Sequence, residues 1–251
     1  MNKIINSIYA NLYKEPTFKS ELVNQSLYCD EVHILDESQA WSLVELYDGY
    51  LGWVHSFYLS NSLNEEYEFY LVDSQYSNNQ FSHLSFGTSI PIISKNNDKI
   101  KSFNPTNEYD WYSINKKSFP SKRDEIVFYA KQFLGVPYLW GGRSSFGIDC
   151  SGLIQLVLYV ANISFPRDTS EQISCDTLEE IDLGCAMLGD IVFFADDSRV
   201  NHVGLYIGDD EIIHSSGQVK CESLDISSIN FSKRLKRCFY KVFSINNLIY
   251  S

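Results

Sequence analysis

Ile148-Asp149-Cys150-Ser151-Gly152 leads straight into Leu153-Ile154-Gln155-Leu156-Val157-Leu158-Tyr159-Val160-Ala161. From Leu153 onward the run is apolar almost all round, which predicts a helix buried on every side. Asp149 stands where a helix N-cap is expected. Gly152 lets another chain approach closely. Cys150 then sits at the helix start, where unpaired N–H groups and the helix dipole favour an anion. That setting predicts a thiol with a lowered pKa. Many buried cysteines are inert packing residues, so position alone leaves Cys150 open between the two readings.

The pattern on either side supplies the fold class. Upstream, Ile126, Val127, Ala130, Phe133 and Leu134 recur at helical spacing, and Gly135 with Pro137 predicts the helix end. A glycine-rich loop, Trp140-Gly141-Gly142-Arg143, separates the two helices. Downstream, Asp190–Phe194, His202–Ile207, Glu211–His214 and Phe239–Ile245 read as strands. Helices followed by a run of strands predict an α+β domain with an antiparallel sheet.

A thiol nucleophile needs a base. His202 and His214 are candidates among five histidines. A hairpin closed by Ile207-Gly208-Asp209 gives a register in which His202 lies directly opposite His214. Both then point to one face, one as base and the other as its orienter. Two unrelated sheet histidines remain the bland alternative. This reading places no carboxylate or further histidine beside them, and the chain has no CxxC pair. Neither a metal site nor any cofactor is therefore expected.

Residues 1–62 carry short strand signals: Val32 and Ile34, then Trp41–Leu46, an Asp48-Gly49 turn, and Tyr50-Leu51-Gly52-Trp53-Val54. Spacing of this kind predicts a small barrel, and the Gly-Trp-Val element resembles the end of bacterial SH3-like domains. Residues 63–118, with Phe69–Val72, Ile90–Ile93 and Trp111-Tyr112, read as a second, divergent SH3-like domain. Pro91 relegates its run to an edge or a bend. The remaining 119–251 form the expected catalytic domain.

Taken together, Tyr138-Leu139-Trp140-Gly141-Gly142, Asp149-Cys150-Ser151-Gly152, Asn201–Gly208 and Ile212-Ile213-His214-Ser215 resemble, in order and spacing, the NlpC/P60 cysteine peptidases. The resemblance implies a papain-like core with Cys150 as nucleophile, His202 as base and His214 as orienter. With the SH3-like domains in front, the whole chain is similar to γ-D-glutamyl-L-diamino acid endopeptidases of murein recycling. These cut L-Ala-γ-D-Glu-diamino acid peptides that have a free N-terminal L-Ala. The same resemblance implies that Tyr138, Asp149, Ser151 and Thr169 line the amine pocket, Thr169 standing where the family usually has Ser. Glu21 and Tyr58 are carried over more loosely as barrel residues that block longer substrates. A solvated surface charge for Glu21 and barrel packing for Tyr58 are the alternatives. Trp140 is read as a packing residue, and Arg167 and Asp168 as structural partners.

Composition agrees with a small-peptide substrate. The net charge is −12, which speaks against nucleic acid and anionic membranes as partners. The stretch after Met1 is too short and too interrupted for a signal h-region, and no run of about 18 apolar residues occurs. The six cysteines are irregularly spaced, as free thiols would be. A cytoplasmic enzyme is the expectation, its oligomeric state left open. The rivals are a D,L-endopeptidase on polymeric peptidoglycan, an acyltransferase using the same thioester, and a non-catalytic wall-binding module.

Overall fold

The computed structural model describes residues 1–61, 68–73, 84–97, 99–103, 109–113 and 117–250. The chain divides into two compact units, Met1–Ser118 with Trp140–Phe146, and Phe119–Leu139 with Gly147–Ser251.

The first unit is sheet-rich. Strands β1 (Asn2–Ile5), β2 (Tyr9–Tyr13), β3 (Leu22–Leu27), β4 (Glu31–Ser38), β5 (Trp41–Glu45), β6 (Leu51–His55) and β7 (Leu59–Asn61) form one sheet in the order β3-β2-β6-β5-β4-β1-β7. Ile5, Ala10, Leu12, Val32, Val44, Leu46 and Val54 fill its core. The expected β5–β6 hairpin is present, Glu45 pairing with Leu51 across a turn in which Gly49 takes a positive φ. Strands β8 (Glu68–Leu71) and β9 (Ser89–Ile92) form a pair, and β10 (Ser94–Asn96), β11 (Lys99–Phe103) and β12 (Tyr109–Ser113) form a three-stranded sheet. Pro91 lies in the two-stranded pair, where its missing N–H leaves no ladder bond broken on an outer side. Val72, Leu84, Ile90 and Ile100 are buried together with Tyr28 and Cys29. The short strand β13 (Arg143–Ser144) also belongs to this unit.

The second unit is α+β. Helix α1 (Lys122–Lys131) is capped by Ser121, whose hydroxyl accepts from the Asp124 N–H. It stops short of Gly135, four residues before the predicted end, and Leu134 is exposed rather than on the buried face. The apolar spacing runs on past the helix because Phe133 is still buried after the backbone has left the helical path. The short strand β14 (Gly147–Ile148) precedes α2 (Cys150–Val160), in which every residue but Tyr159 is buried. Helix α3 (Thr169–Gln172) follows. Strands β15 (Glu179–Ile181), β16 (Ile191–Asp196), β17 (Arg199–Tyr206), β18 (Glu211–Ser216) and β19 (Gln218–Ser223), helix α4 (Lys233–Cys238), strand β20 (Phe239–Ser244) and helix α5 (Asn246–Ile249) complete it. The sheet is antiparallel throughout, in the order β15-β20-β16-β17-β18-β19.

Helix α2 packs on β17 and β18. Leu153, Ile154, Leu156, Val157 and Leu158 are fully buried, and each such side chain contributes about 2 kcal/mol when removed from water. That anchorage holds the first turn of α2 against the sheet. Among the described residues, no helix is long and apolar enough to cross a membrane.

Candidate active site

Cys150 is the first residue of α2 and is buried. Its neighbour Asp149 caps the helix as expected, accepting from the Gly152 N–H at 2.7 Å. The sulfur takes hydrogen bonds from the backbone of Val203 on β17 and of Ser151, and from the Thr169 hydroxyl at the start of α3. Thus the helix start, α3 and the strand bearing His202 converge on one thiol. The thiol pKa is not lowered, as the helix-terminus setting predicts, but pushed up to about 11. Burial is the main cause, and the Asp149 charge adds to it against those hydrogen bonds.

His202 and His214 come together, by a different register from the one predicted. Leu205 pairs with Ile213 and Tyr206 with Ile212. Continued one step, this pairing sets Gly204 across from His214, and His202 is the diagonal neighbour. The slip arises at the turn, where Asp209 and Asp210 both take positive φ and Tyr206 meets Ile212 instead of Asp210, two residues further along the β18 side. A shift of two in the pairing sum slides one strand two residues past the other, so the two histidines become diagonal neighbours and stay on the same face. His202 Nε2 lies 2.8 Å from His214 Nδ1. Gly204 makes this approach possible: a Cβ there would stand 2.6 Å from Ile212 Cγ2 and 3.0 Å from His214 Cβ.

Burial holds His202 down to about 3, helped by His214, Arg234 and Lys220. His214 is held down to about 4, again mainly by burial, although Glu222 pulls the other way. Both rings are neutral at pH 7. The expectation that no carboxylate supports the pair is wrong. Glu222 on β19 approaches His214, its Oε2 lying 2.9 Å from His214 Nε2. Its position was accessible in principle: a turn at Gly217 pairs Lys220 with His214, and Glu222 is then the diagonal neighbour on that side.

Around the thiol, Arg167 is a buried partner of the residues that flank Cys150. It is 2% exposed and makes a forked ion pair with Asp149, Nη1 to Oδ1 at 3.0 Å and Nη2 to Oδ2 at 2.7 Å. Nη1 also donates to Ser151 Oγ at 2.9 Å. The Asp149 carboxylate is therefore engaged from the helix and from Arg167 together. Gln172, fully buried, donates to the carbonyls of Ser151 and Pro166. The Tyr138 phenol feels both Cys150 and Asp149, and burial with these two neighbours raises it to about 12. It is thus a donor across the working pH range. Ser215 Oγ donates to the Ile148 carbonyl at 2.7 Å, tying β18 to the residue before the cap.

Two expected residues lie in the first unit. Glu21 accepts from the Trp140 indole N–H at 3.2 Å and pairs with Lys14 at 3.6 Å. Trp140, predicted to be a packing residue, is 62% exposed. Tyr58 packs against the core of the seven-stranded sheet and beside the Phe57 ring, and burial raises its pKa. All six cysteines are free. Among the described residues, no three His, Cys, Asp or Glu side chains converge as metal ligands would.

Comparison with known proteins matches two parts of the chain. Residues 135–237 match the NlpC/P60 family, and residues 12–57 match the bacterial dipeptidyl-peptidase SH3 domain. A γ-D-glutamyl-L-lysine dipeptidyl-peptidase of Bacillus cereus is 29% identical over 232 residues, 79% of this chain and 68% of that protein. The protein of the same name from Bacillus subtilis is 33% identical over 168 residues, covering 62% of this chain and 55% of its own length. Dipeptidyl-peptidase 6 of Lysinibacillus sphaericus is 25% identical over 258 residues and is covered to 92%. The crystal structure of a Bacillus cereus NlpC/P60 family protein superposes with a TM-score of 0.78 at 24% identity, over 96% of this chain and 98% of that one. At that identity the likeness speaks to the fold.

Proposed function

We propose, from the premise that this chain carries an NlpC/P60 domain and a bacterial dipeptidyl-peptidase SH3 domain, that it is a cysteine peptidase hydrolysing the bond between γ-D-Glu and a diamino acid. Its substrates are small murein peptides with a free N-terminal L-Ala. The observation that carries the reading is a buried thiol at the start of α2 whose sulfur is held by the Val203 backbone, with His202, the residue before Val203 on β17, paired to His214 at 2.8 Å. The relatives named for γ-D-glutamyl-L-lysine peptides support the substrate class.

In this mechanism Cys150 attacks the γ-D-glutamyl carbonyl as His202 takes its proton. A neutral thiol and a neutral imidazole are the resting forms that burial favours, so the proton moves on attack rather than before it. The forming oxyanion is met by the Tyr138 phenol and the Cys150 backbone N–H. The imidazolium of His202 returns the proton to the diamino acid amine as the C–N bond breaks. Water, deprotonated by His202, then hydrolyses the thioester and frees Cys150. His214 holds the His202 ring. The L-Ala ammonium is proposed to bind at Asp149, Tyr138, Ser151 and Thr169. Arg167 already balances the Asp149 charge, so recognition there depends on hydrogen-bond acceptors in fixed positions more than on net attraction.

The same proposal treats 1–62 and 63–118 as two SH3-like domains and sets the enzyme in the cytoplasm, acting on peptides released from the wall. The net charge of −12 supports it, since a strongly acidic protein is repelled by acidic polymers. The test is incubation with L-Ala-γ-D-Glu-meso-diaminopimelate, its L-Lys counterpart and the N-acetylated forms, with products read by mass spectrometry and Cys150→Ala as control. Release of L-Ala-D-Glu from the free peptides alone supports the whole reading. Cleavage of acetylated peptides as well removes the amine requirement. No cleavage by folded, reduced protein removes the peptidase assignment.

A further inference from the structure

Both ring nitrogens of His214 are engaged. Nδ1 faces His202 Nε2 at 2.8 Å, and Nε2 faces Glu222 Oε2 at 2.9 Å. These contacts form an ordered chain across three adjacent strands, His202 on β17, His214 on β18 and Glu222 on β19. Each step is the diagonal neighbour of the one before. An ionised carboxylate can only accept a hydrogen bond. The Lys220 ammonium stands 3.3 Å from the same Glu222 oxygen and keeps that carboxyl ionised. Burial opposes the ionisation, but His214 and Lys220 outweigh it and the Glu222 pKa falls below its usual value.

The proton positions follow in sequence. His214 must carry its hydrogen on Nε2, because Glu222 has none to give. A neutral His214 then has its lone pair on Nδ1. His202 must in turn donate from Nε2, which leaves the lone pair of a neutral His202 on Nδ1. That nitrogen is the one not occupied by His214, and so the one open to the thiol proton.

We propose that Glu222 is a positioning residue that, through His214, fixes the tautomer of His202 so that Nδ1 is the basic atom. The proposal rests on the reading of His202 as general base, and it adds a fourth member that touches neither substrate nor thiol. It also assigns a hazard to Lys220. With Glu222 gone, the only charged group left directly opposite His214 on β19 is a pure donor. An ammonium turned toward His214 Nε2 would force the hydrogen to Nδ1. His202 would then accept at Nε2 and carry its own hydrogen on Nδ1, unable to take a proton from Cys150. Arg234, which donates to Ser216 Oγ at 3.0 Å, also faces this pair and adds positive potential. Glu222 is thus the one described carboxylate among two cations and two imidazoles.

The experiment uses the full chain, 15N-labelled at histidine, with imidazole two-bond correlation spectra at neutral pH assigned by His202→Gln and His214→Gln. Both rings are expected as Nε2–H tautomers in the native protein. Glu222→Ala should move His214 toward Nδ1–H and lower kcat about tenfold to a hundredfold, with KM changed less than about twofold. Glu222→Gln, whose amide oxygen can still accept, should keep the native tautomer and recover most of the rate. Glu222 is partly exposed, so thermal unfolding of each variant checks that the fold is retained. A native His214 in the Nδ1–H form overturns the proposal, as does a Glu222→Ala spectrum with unchanged tautomers. If the native protein cleaves no murein peptide, the spectra still decide the proton chain, and only the peptidase reading falls.

Discussion

Arg167→Met removes the guanidinium from the buried pair beneath the thiol while keeping most of the side-chain volume. At least three hydrogen bonds are lost, two to Asp149 and one to Ser151. Arg167 is almost wholly inaccessible and the Asp149 side chain nearly so, so water cannot replace the missing charge without opening the site. Removing one partner of such a pair costs about 3–5 kcal/mol, against the ~0–1 kcal/mol of an exposed bridge. The Gly152 N–H still holds Asp149, which points to the lower half of that range. In a domain of this size each kcal/mol moves Tm by about 2–4 °C, so the unfolding transition of the second unit should fall by at least about 6 °C. Scanning calorimetry resolves a shift of that size. Arg167→Lys should recover only part of the loss, since an ammonium cannot reproduce the fork. Adding Asp149→Asn to Arg167→Met should restore stability by removing the stranded charge while leaving an N-cap. A loss under about 1 kcal/mol for Arg167→Met, with no coupling to Asp149→Asn, would refute the reasoning.

Further outcomes follow from the same site. Gly204→Ala places a methyl 2.6 Å from Ile212 Cγ2 and 3.0 Å from His214 Cβ; it should destabilise by about 1–3 kcal/mol and lower kcat, and unchanged kinetics would separate the histidine pair from the reaction. Native His202 and His214 titrate near 3 and 4, while unfolded histidine takes its proton near 6.5. Their contribution to stability is therefore whole above about pH 6.5 and lost as pH falls toward 3. Tm should drop by an amount reflecting several kcal/mol over that window, at about 1.4 kcal/mol per depressed unit, and a His202→Gln/His214→Gln chain should show a flatter profile; equal profiles would exclude buried neutral histidines. The thiol raised to about 11 predicts no thiolate absorbance difference between native protein and Cys150→Ala at pH 7, and a clear difference there would mean that the ion pair forms before substrate arrives.

Much of the second unit is legible from local pattern. The apolar run from Leu153 to Ala161 has no polar face to turn outward, so a buried helix is forced, and Asp149 as its cap follows from the free N–H groups of any helix start. The histidines share a face because side-chain direction repeats every two residues, and that survives a register error of two where it would not survive one. The register itself depended on the conformation of Asp209 and Asp210, both in the left-handed region, and residue type alone does not specify how many residues a turn consumes. The end of α1 was overrun for a related reason: burial of Phe133 continues the helical rhythm after the helix has stopped at Lys131.

The sequence by itself determined which residues could do chemistry: a thiol at a helix start, two histidines on one sheet face, and the flanking Asp149. Only the tertiary structure decided which charges they meet. Arg167 reaches Asp149 from 18 residues away and Glu222 reaches His214 across a strand boundary, and whether two such groups touch depends on how α3 and β19 pack, not on any periodicity near them. The direction of the Cys150 shift belongs to the same class. A helix start argues for a lowered pKa, but in the folded protein desolvation by the surrounding core is the larger effect, and burial is a property of the whole fold rather than of the residues beside the thiol.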